Sequence, residues 1–161
     1  MLPAIRTEQY DFGLRFSPVK DTTLILGYFS IRKPFIDIDQ TNHFGLLGDE
    51  THRGLEFSIT SNVTHDLRVV AGGVYLDPTV EASPSIAQAI GKHPVNQQRL
   101  RTRFNVNWTL PFARALTLDA YVNHDAGAYA TVDNSLYAPG STRIGMGARY
   151  KFELGGKPVT E

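Results

Sequence analysis

The side chains most able to do chemistry in this chain are five histidines and a few neighbouring carboxylates. The histidines never recur at metal-ligand spacing; they are His43, His52, His65, His93 and His124. Cysteine is absent, so thiolate metal sites, disulfides and cysteine nucleophiles are excluded. We therefore interpret the histidines as solvated loop residues and predict no metal site.

Two acidic pairs, Asp37 with Asp39 and Asp49 with Glu50, resemble the paired carboxylates of acid–base catalysis. Both pairs fall in a predicted loop without a companion nucleophile or base. The sequence also lacks a nucleophile elbow, and Gly145-Met146-Gly147 lacks the third glycine and the helix of a phosphate cradle. We predict that the protein is not an enzyme and has no cofactor.

The charge balance of the chain points to no charged partner. Sixteen basic and sixteen acidic residues give a formal net charge of zero, so no nucleic-acid partner is predicted. Mean hydropathy is -0.21, and no apolar run approaches the roughly 18 residues of a membrane helix. Membrane β-barrels are compatible with both values, because their strands alternate between apolar and polar residues.

Period-two alternation is the dominant pattern, and it recurs in seven segments. In the clearest one, Arg101 to Leu110, Phe104, Val106 and Trp108 interleave with arginines and asparagines. Alternation places successive side chains on opposite faces of a sheet, so one face is apolar and the other polar. The other six segments lie near residues 9–16, 22–32, 55–60, 67–75, 116–123 and 143–152. Each is predicted to approach the 9 to 11 residues of a tilted membrane strand.

The connections between these segments alternate between short and long. The short ones are residues 17–21, 62–66 and 111–114, and the long ones are roughly residues 33–52, 78–99 and 125–141. Outer-membrane barrels join their strands by short periplasmic turns and long external loops. The sequence therefore predicts an all-β fold, an antiparallel transmembrane β-barrel segment of about 7 to 8 up-and-down strands.

Aromatic residues support this reading over a soluble sandwich or a lipocalin-like barrel, which would also alternate. They cluster near the turn-side strand ends, as in an interfacial girdle; they are Phe16, Trp108, Phe112, Tyr150 and Phe152. After Phe152, residues 153–158 read as a further turn, and Val159-Thr160-Glu161 as the start of an eighth strand. The first residues lack an apolar signal region, which predicts a mature or truncated chain.

Four passages resemble the C-terminal barrel of TonB-dependent siderophore receptors. They are Ile31-Arg32-Lys33-Pro34-Phe35, Arg53-Gly54-Leu55-Glu56, Gly72-Gly73-Val74-Tyr75-Leu76-Asp77 and residues 142–150. The resemblance implies part of a barrel of about 22 strands that encloses a plug. It also implies that residues 1–161 are one partial barrel region, with the plug domain and the closing strands absent.

The function implied by the resemblance is binding and uptake of ferric siderophores at the bacterial outer membrane. The implied partners are outer-membrane lipid, the ferric siderophore as transported ligand, and the TonB-ExbB-ExbD complex, reached through the missing N-terminal part. Loop position predicts ligand contacts by Phe44, His52, Tyr129, Tyr137 and Arg143. Aromatic faces suit apolar parts of a siderophore, and Arg143 suits an anionic chelate. Alternatively, these aromatics pack the loops on one another.

Two alternatives to a receptor fragment stay open. One is a complete small barrel of about eight strands with a structural or adhesive role, whose interior would be packed with paired side chains. The other is an enzymatic barrel, for which no catalytic constellation is present. The unpaired-looking inner cations Arg101, Arg103, Arg143, Arg149 and Lys151 favour a wide lumen and hence the fragment.

Overall fold

The computed structural model describes residues 5–38, 42, 44–84, 86, 87, 90–154 and 157–160. These residues form an all-β structure of ten strands, eight of which build one antiparallel sheet. Among the described residues, no helix is long and apolar enough to cross a membrane. His43 and Asp39 lie outside the described residues.

The strands are β1 Glu8–Phe16, β2 Thr22–Ile38, β3 Phe44–Asn62, β4 Leu67–Ala82, β5 Leu100–Thr109, β6 Leu116–Asp125, β7 Ala128–Tyr129, β8 Tyr137–Ala138, β9 Ser141–Leu154 and β10 Lys157–Thr160. The large sheet follows chain order, β1-β2-β3-β4-β5-β6-β9-β10, and β7 pairs with β8 in a small hairpin. This confirms the predicted up-and-down arrangement. The predicted turn at residues 153–158 is wrong at both ends, because β9 continues to Leu154 and the eighth strand of the sheet begins at Lys157, two residues earlier than predicted.

The pairing register keeps the two faces of the sheet chemically distinct across all strands. One transverse row runs Phe12, Tyr28, Leu55, Tyr75 and Leu100. Because the side-chain period is two and the register is in step, the rows alternate between the two faces without mixing. We call the face with this row the apolar face and the opposite one the inner face.

The apolar face is exposed to an unusual degree for such large side chains. Tyr10, Phe12, Ile144 and Met146 are 71%, 76%, 71% and 87% accessible. The five predicted girdle aromatics are also exposed at the turn end. A sheet that packed this face against its own core would bury these residues, so the surface is built to contact something apolar outside the chain.

The three short turns lie where the sequence predicts them, and each is closed by backbone hydrogen bonds. The Thr22 amide donates to the Val19 carbonyl at 3.3 Å in the first, with Asp21 at φ 60°. Thr64 and Leu67 exchange two bonds in the second. In the third, the Ala113 amide donates to the Leu110 carbonyl at 3.0 Å. These turns define the turn end of the sheet, and the other end carries the loops.

The predicted strand lengths are wrong at the loop end. β2, β3 and β4 have 17, 19 and 16 residues, and β9 has 14, so most of the predicted connector 33–52 is strand. Apolar and polar residues do not alternate regularly there, as in Phe35-Ile36-Asp37, which removes the alternation signal while the hydrogen-bonded ladder continues. Pro34 is tolerated in β2 because β1 begins opposite Arg32, which leaves one side of β2 unpaired at Pro34.

A β-bulge interrupts the long β2–β3 hairpin. Phe35 pairs with Gly48 and Ile36 with Leu46, so Leu47 is the extra residue. Gly48 has φ 155°, and a Cβ at this position would collide with the carbonyl oxygen of Glu81 on β4. The bulge turns the Leu47 side chain into a buried position, where it becomes part of a small apolar core at the loop end.

The sheet has two edges, β1 and β10, which do not pair with each other within the described residues. Every residue of β1 is exposed. The described part of the chain is thus an open sheet of barrel strands, and the barrel is not closed within it.

Candidate ligand-binding site

A small apolar core holds the loops together at the loop end of the main sheet. Phe35, Leu47 and Val80 are its buried members, at 8%, 6% and 8% exposure. The partly buried residues packed against it are Ile86, Ile90 and Val132. Because these six residues come from β2, β3, β4 and two different loops, the core joins the segments 83–99 and 126–140 to the extended strands.

The two loops are also joined by hydrogen bonds that centre on Asn134. Its side-chain oxygen accepts the His93 amide at 2.9 Å, and its side-chain nitrogen donates to the His93 carbonyl at 2.7 Å. The Gly91 amide donates to the Val132 carbonyl at 2.8 Å, and a Cβ on Gly91 would collide with Asn134. The Asn96 amide adds a bond to the Tyr129 carbonyl. We call this assembly of loops and core the loop lobe.

Three rings line the loop lobe. His93 and Tyr129 are stacked with their centroids 5.3 Å apart and their planes 2° apart, and Tyr137 meets Tyr129 edge-on at 5.3 Å. The His93 ring nitrogen Nδ1 lies 3.1 Å from the Pro78 carbonyl, which fixes the ring against β4. Tyr137 remains 56% exposed, so one face of the cluster is open to a ligand.

The five predicted contact residues therefore do not form one group. The structure brings Tyr129 and Tyr137 together, and part of their surface is used in packing the loops, as the alternative reading expects. Phe44 lies at the tip of the β2–β3 hairpin and is 60% exposed.

His52 lies on the inner face of β3, beyond the apolar part of that strand. Its ring nitrogen Nε2 forms a short hydrogen bond with the buried carboxylate of Glu50, and the Lys33 ammonium lies 3.4 Å from the same carboxylate. Burial raises the pKa of Glu50, but the His52 hydrogen bond and the Lys33 charge outweigh it and hold that pKa below its ordinary value of 4.5. His52 is thus one of three members of a charge cluster, with Glu50 and Lys33, and is not a free loop side chain.

Arg143 belongs to a second charge cluster on the inner face. The carboxylate of Asp125 accepts Arg103 at 2.7 Å and Arg143 at 3.0 Å. Arg103 also donates to the backbone carbonyls of Thr102 and His124, so it is held in place, whereas Arg143 is 66% exposed and has one carboxylate contact. Arg143 is the more available of the two cations.

The expectation of unpaired inner cations is wrong for three of the five. Arg103 and Arg143 share Asp125, and Arg149 donates to Asp119 through Nε at 2.9 Å and Nη2 at 2.8 Å. Arg101 donates to the side-chain oxygen of Gln98. The register explains the pairing, since Asp119 and Asp125 stand on β6 between the cations of β5 and β9, a relation across strands that local sequence does not show.

The inner face between β4 and β9 nevertheless keeps an excess of positive charge. Six cationic side chains stand there against Asp119 and Asp125; they are Arg68, Arg101, Arg103, Arg143, Arg149 and Lys151. A surface of one sign raises the local concentration of ions of the other sign. Below the loop lobe, the inner face is suited to an anionic ligand.

Sequence reasoning did not select His93, Asn134 or Asp125 as site residues. The ring of His93 stacks on Tyr129, which is 36 positions away, and the side chain of Asn134 bonds the backbone of His93, which is 41 positions away. Contacts between residues so far apart leave no local pattern in the sequence. Asn134 did carry one signal, because asparagine is the residue that most often adopts a positive φ apart from glycine, and its φ is 59°. Within the described residues, no group of three or more His, Cys, Asp or Glu side chains is placed to hold a metal ion.

Residues 1–159 match the protein family described as TonB dependent receptor-like, beta-barrel. The chain is 26% identical over 152 residues to the ferrichrome receptor FcuA of Yersinia enterocolitica, covering 93% of this chain and 20% of that protein. It is 27% identical to the crystal structure of BauA, the ferric preacinetobactin receptor of Acinetobacter baumannii, with a TM-score of 0.81 over 96% of this chain and 24% of that one.

The ferric citrate transporter FecA shows the same fold at a TM-score of 0.78 and 14% identity, over 92% of this chain and 24% of the other. The chain thus spans about a fifth to a quarter of the length of these relatives. The match to the family extends over nearly every residue of the sheet. The chain belongs to the TonB-dependent receptor family and forms barrel strands of that fold.

Proposed function

We propose that this chain forms part of the wall and the external ligand-binding surface of an outer-membrane receptor that takes up ferric siderophores. The observation that carries the proposal is the two-faced sheet. Its apolar face suits lipid, and its cationic inner face leads away from a loop lobe with an open aromatic surface. The relatives named above are receptors for ferrichrome and for ferric preacinetobactin, which supports a ferric chelate as the ligand.

The membrane location is supported by the apolar face. Its exposed aliphatic and aromatic side chains have a place only against hydrocarbon, and the aromatics at the turn end suit the headgroup level. Two open edges would leave backbone amides unpaired in lipid, which a membrane does not tolerate. We therefore propose that further strands pair with β1 and β10 and that the plug and closing strands belong to other parts of the receptor.

The ligand surface is proposed to combine three parts of the structure. Phe44 at the hairpin tip makes the first contact, the Tyr129–Tyr137 pair receives apolar parts of the chelate, and Arg143 attracts its negative charge. His52 contributes through the charge cluster that it shares with Glu50. Translocation then requires energy from a TonB-ExbB-ExbD complex, a partner inferred from the family.

Uptake of radiolabelled ferric chelates by iron-starved Gram-negative cells that produce the receptor tests this function. We expect uptake to require TonB and to fall in Tyr137→Ala and Arg143→Gln, through weaker binding. Tyr10→Ala is the control for Tyr137→Ala, because Tyr10 is also an exposed tyrosine but lies on the apolar face. Uptake that persists without TonB, or binding that is insensitive to both loop variants, would contradict the proposal.

A further inference from the structure

A second feature of the inner face lies at the turn end, opposite the loop lobe. It is a cleft of 320 Å³, and it is lined by Asn62, His65, Asp66, Leu67, Arg68, Asn107, Thr109, Thr117, Arg149 and Lys151. The strand residues among them, apart from Leu67, are on the inner face, and the rest belong to the turn between β3 and β4. We call it the turn-end cleft.

The register explains why a cleft forms here. Arg68 stands on β4 and Lys151 on β9, with β5 and β6 between them. The floor consists of short side chains, with the Thr109 and Thr117 hydroxyls 3.1 Å apart. Since neighbouring strands are about 4.8 Å apart, the two walls are separated by about 14 Å across the strands. Gly147 is the β9 residue opposite Arg68, and Lys151 lies four residues, or about 13 Å, further along β9, so the two cations are about 20 Å apart at the backbone. Long cationic side chains thus flank a polar floor.

The charges in the cleft are only partly used by the protein itself. Arg149 is bound to Asp119 by two hydrogen bonds, and Asp66 lies 3.1 Å from the His65 ring. Among the side chains that the structure describes, which end at Phe152, neither Arg68 nor Lys151 forms an ion pair. One available cation therefore stands on each wall, and hydroxyl and amide groups lie between them.

These features select among possible anionic occupants. Lipid headgroups meet the apolar side, and the sheet separates them from this cleft. A single phosphate would reach one wall, because the walls are about 14 Å apart. An extended peptide rises about 3.3 Å per residue, so carboxylates four residues apart are separated by about 13 Å, and the long side chains of Arg68 and Lys151 span the remaining distance while the peptide backbone lies on the polar floor.

We propose that the turn-end cleft binds an acidic, extended peptide segment. One of its carboxylates pairs with Arg68 and another with Lys151, while Asn107, Thr109 and Thr117 contact its backbone. This site is separate from the loop lobe, so the proposal does not depend on which chelate the receptor binds or on whether it binds one.

The test uses the full chain in detergent micelles, with circular dichroism to verify the β-sheet. The probe is a labelled, end-blocked hexapeptide with glutamates at its first and fifth positions and serines elsewhere, followed by fluorescence anisotropy. We expect binding at about 50 mM salt that weakens at about 300 mM, because solvent-exposed ion pairs are screened. The same peptide with glutamine in place of glutamate is expected to bind at least tenfold more weakly.

Variants locate the binding. Arg68→Gln combined with Lys151→Gln is expected to weaken the acidic peptide at least tenfold, while Arg68→Lys combined with Lys151→Arg keeps the charges and most of the affinity. Arg15→Gln is the matched control, because Arg15 is an exposed inner-face cation on β1 and does not line the cleft.

Four results would overturn the proposal. They are no acidic-peptide binding by the folded chain, unchanged affinity in the double glutamine variant, an equal loss in Arg15→Gln, and displacement of the peptide by inorganic phosphate at equal concentration. The first two exclude the cleft, the third indicates general charge attraction, and the fourth indicates a simple anion site. Ferric-chelate uptake measured separately distinguishes any of these from a failure of the receptor function.

Discussion

The contact between Asn134 and His93 makes a sharp prediction about the loop lobe. If this contact holds the two loops together, Asn134→Gly should release the segment 83–99 from the segment 126–140 without unfolding the sheet. Glycine accepts the φ of 59° at this position, so the substitution removes the side-chain bonds and leaves the backbone unstrained.

The size of the effect follows from the bonds that are lost. The Asn134 side chain makes two bonds to the His93 backbone, at 2.9 and 2.7 Å. At about 1 kcal/mol each, their loss weakens the closed lobe by about 2 kcal/mol, roughly a 30-fold increase in the open population. Asn134→Ala loses the same bonds and also replaces asparagine, which is tolerated in the left-handed region, with alanine, which is disfavoured there by about 1 to 2 kcal/mol, for about 3 to 4 kcal/mol in total.

Hydrogen exchange at the amides of His93 and Gly91 measures this directly, because both are bonded across the two loops. We expect their protection to fall about 30-fold in Asn134→Gly and a few hundredfold in Asn134→Ala. Asn96→Gly is the matched control, since Asn96 also has a positive φ, 59°, but makes no side-chain hydrogen bond to a described residue.

Equal protection in wild type and Asn134→Gly would refute the reasoning, because the apolar core alone would then hold the lobe. A fall in Asn96→Gly as large as that in Asn134→Gly would also refute it, since any change to a left-handed residue would then open the loops. Amides in the middle of β5 and β6 should stay protected in all three variants.

Three further predictions concern the long hairpin and the charge clusters. Gly48→Ala should disrupt the bulge and speed proteolysis of the loops severalfold, because its Cβ would collide with the backbone of β4, whereas Gly45→Ala has open space around it and should have no effect; equal rates would contradict this. Asp125→Asn should free the Arg143 side chain and lower the urea midpoint only slightly, because the two ion pairs that it removes are solvent-screened, and an unchanged Arg143 side-chain NMR signal would count against it. Because the pKa of Glu50 is lowered, its stabilisation of the loop lobe is present above the ordinary pKa of 4.5 and is lost as pH falls through the lowered pKa. The increase in hydrogen exchange that acid causes in the lobe should therefore be absent in Glu50→Gln. If that increase persists in the variant, this carboxyl is excluded as its cause.

Most of the sheet could be predicted from the sequence because its physics is local. In β1 and β5 each residue contacts either the apolar or the inner side, so alternation alone assigns Phe12 and Arg103 to their faces. The turns were predictable for the same reason, since Asp21 and its neighbours fit tight turns. The alternation of short and long connectors then predicted which end of the sheet carries the turns and which carries the loops.

The loop end could not be predicted because its contacts are long-range. Residues 33–38 and 44–52 are strand because each hydrogen-bonds its neighbour across the hairpin, while their apolar and polar residues follow no regular alternation. Likewise, His93 and Tyr129 were both visible in the sequence, yet only the fold shows that their rings stack. The predicted ligand contacts remain predictions, and the structure adds that Tyr129 also serves to pack the loops.

The bulge at Leu47 has a mechanical consequence. β2 and β3 are hydrogen-bonded to each other from the turn end to the tip, so we expect a force on the tip to be transmitted along the whole hairpin. The register shift at Leu47 breaks that continuity at one point, close to the Glu50–His52 cluster and under the loop core. We therefore expect the outer part of the hairpin to bend at this point while the part below it stays fixed in the sheet.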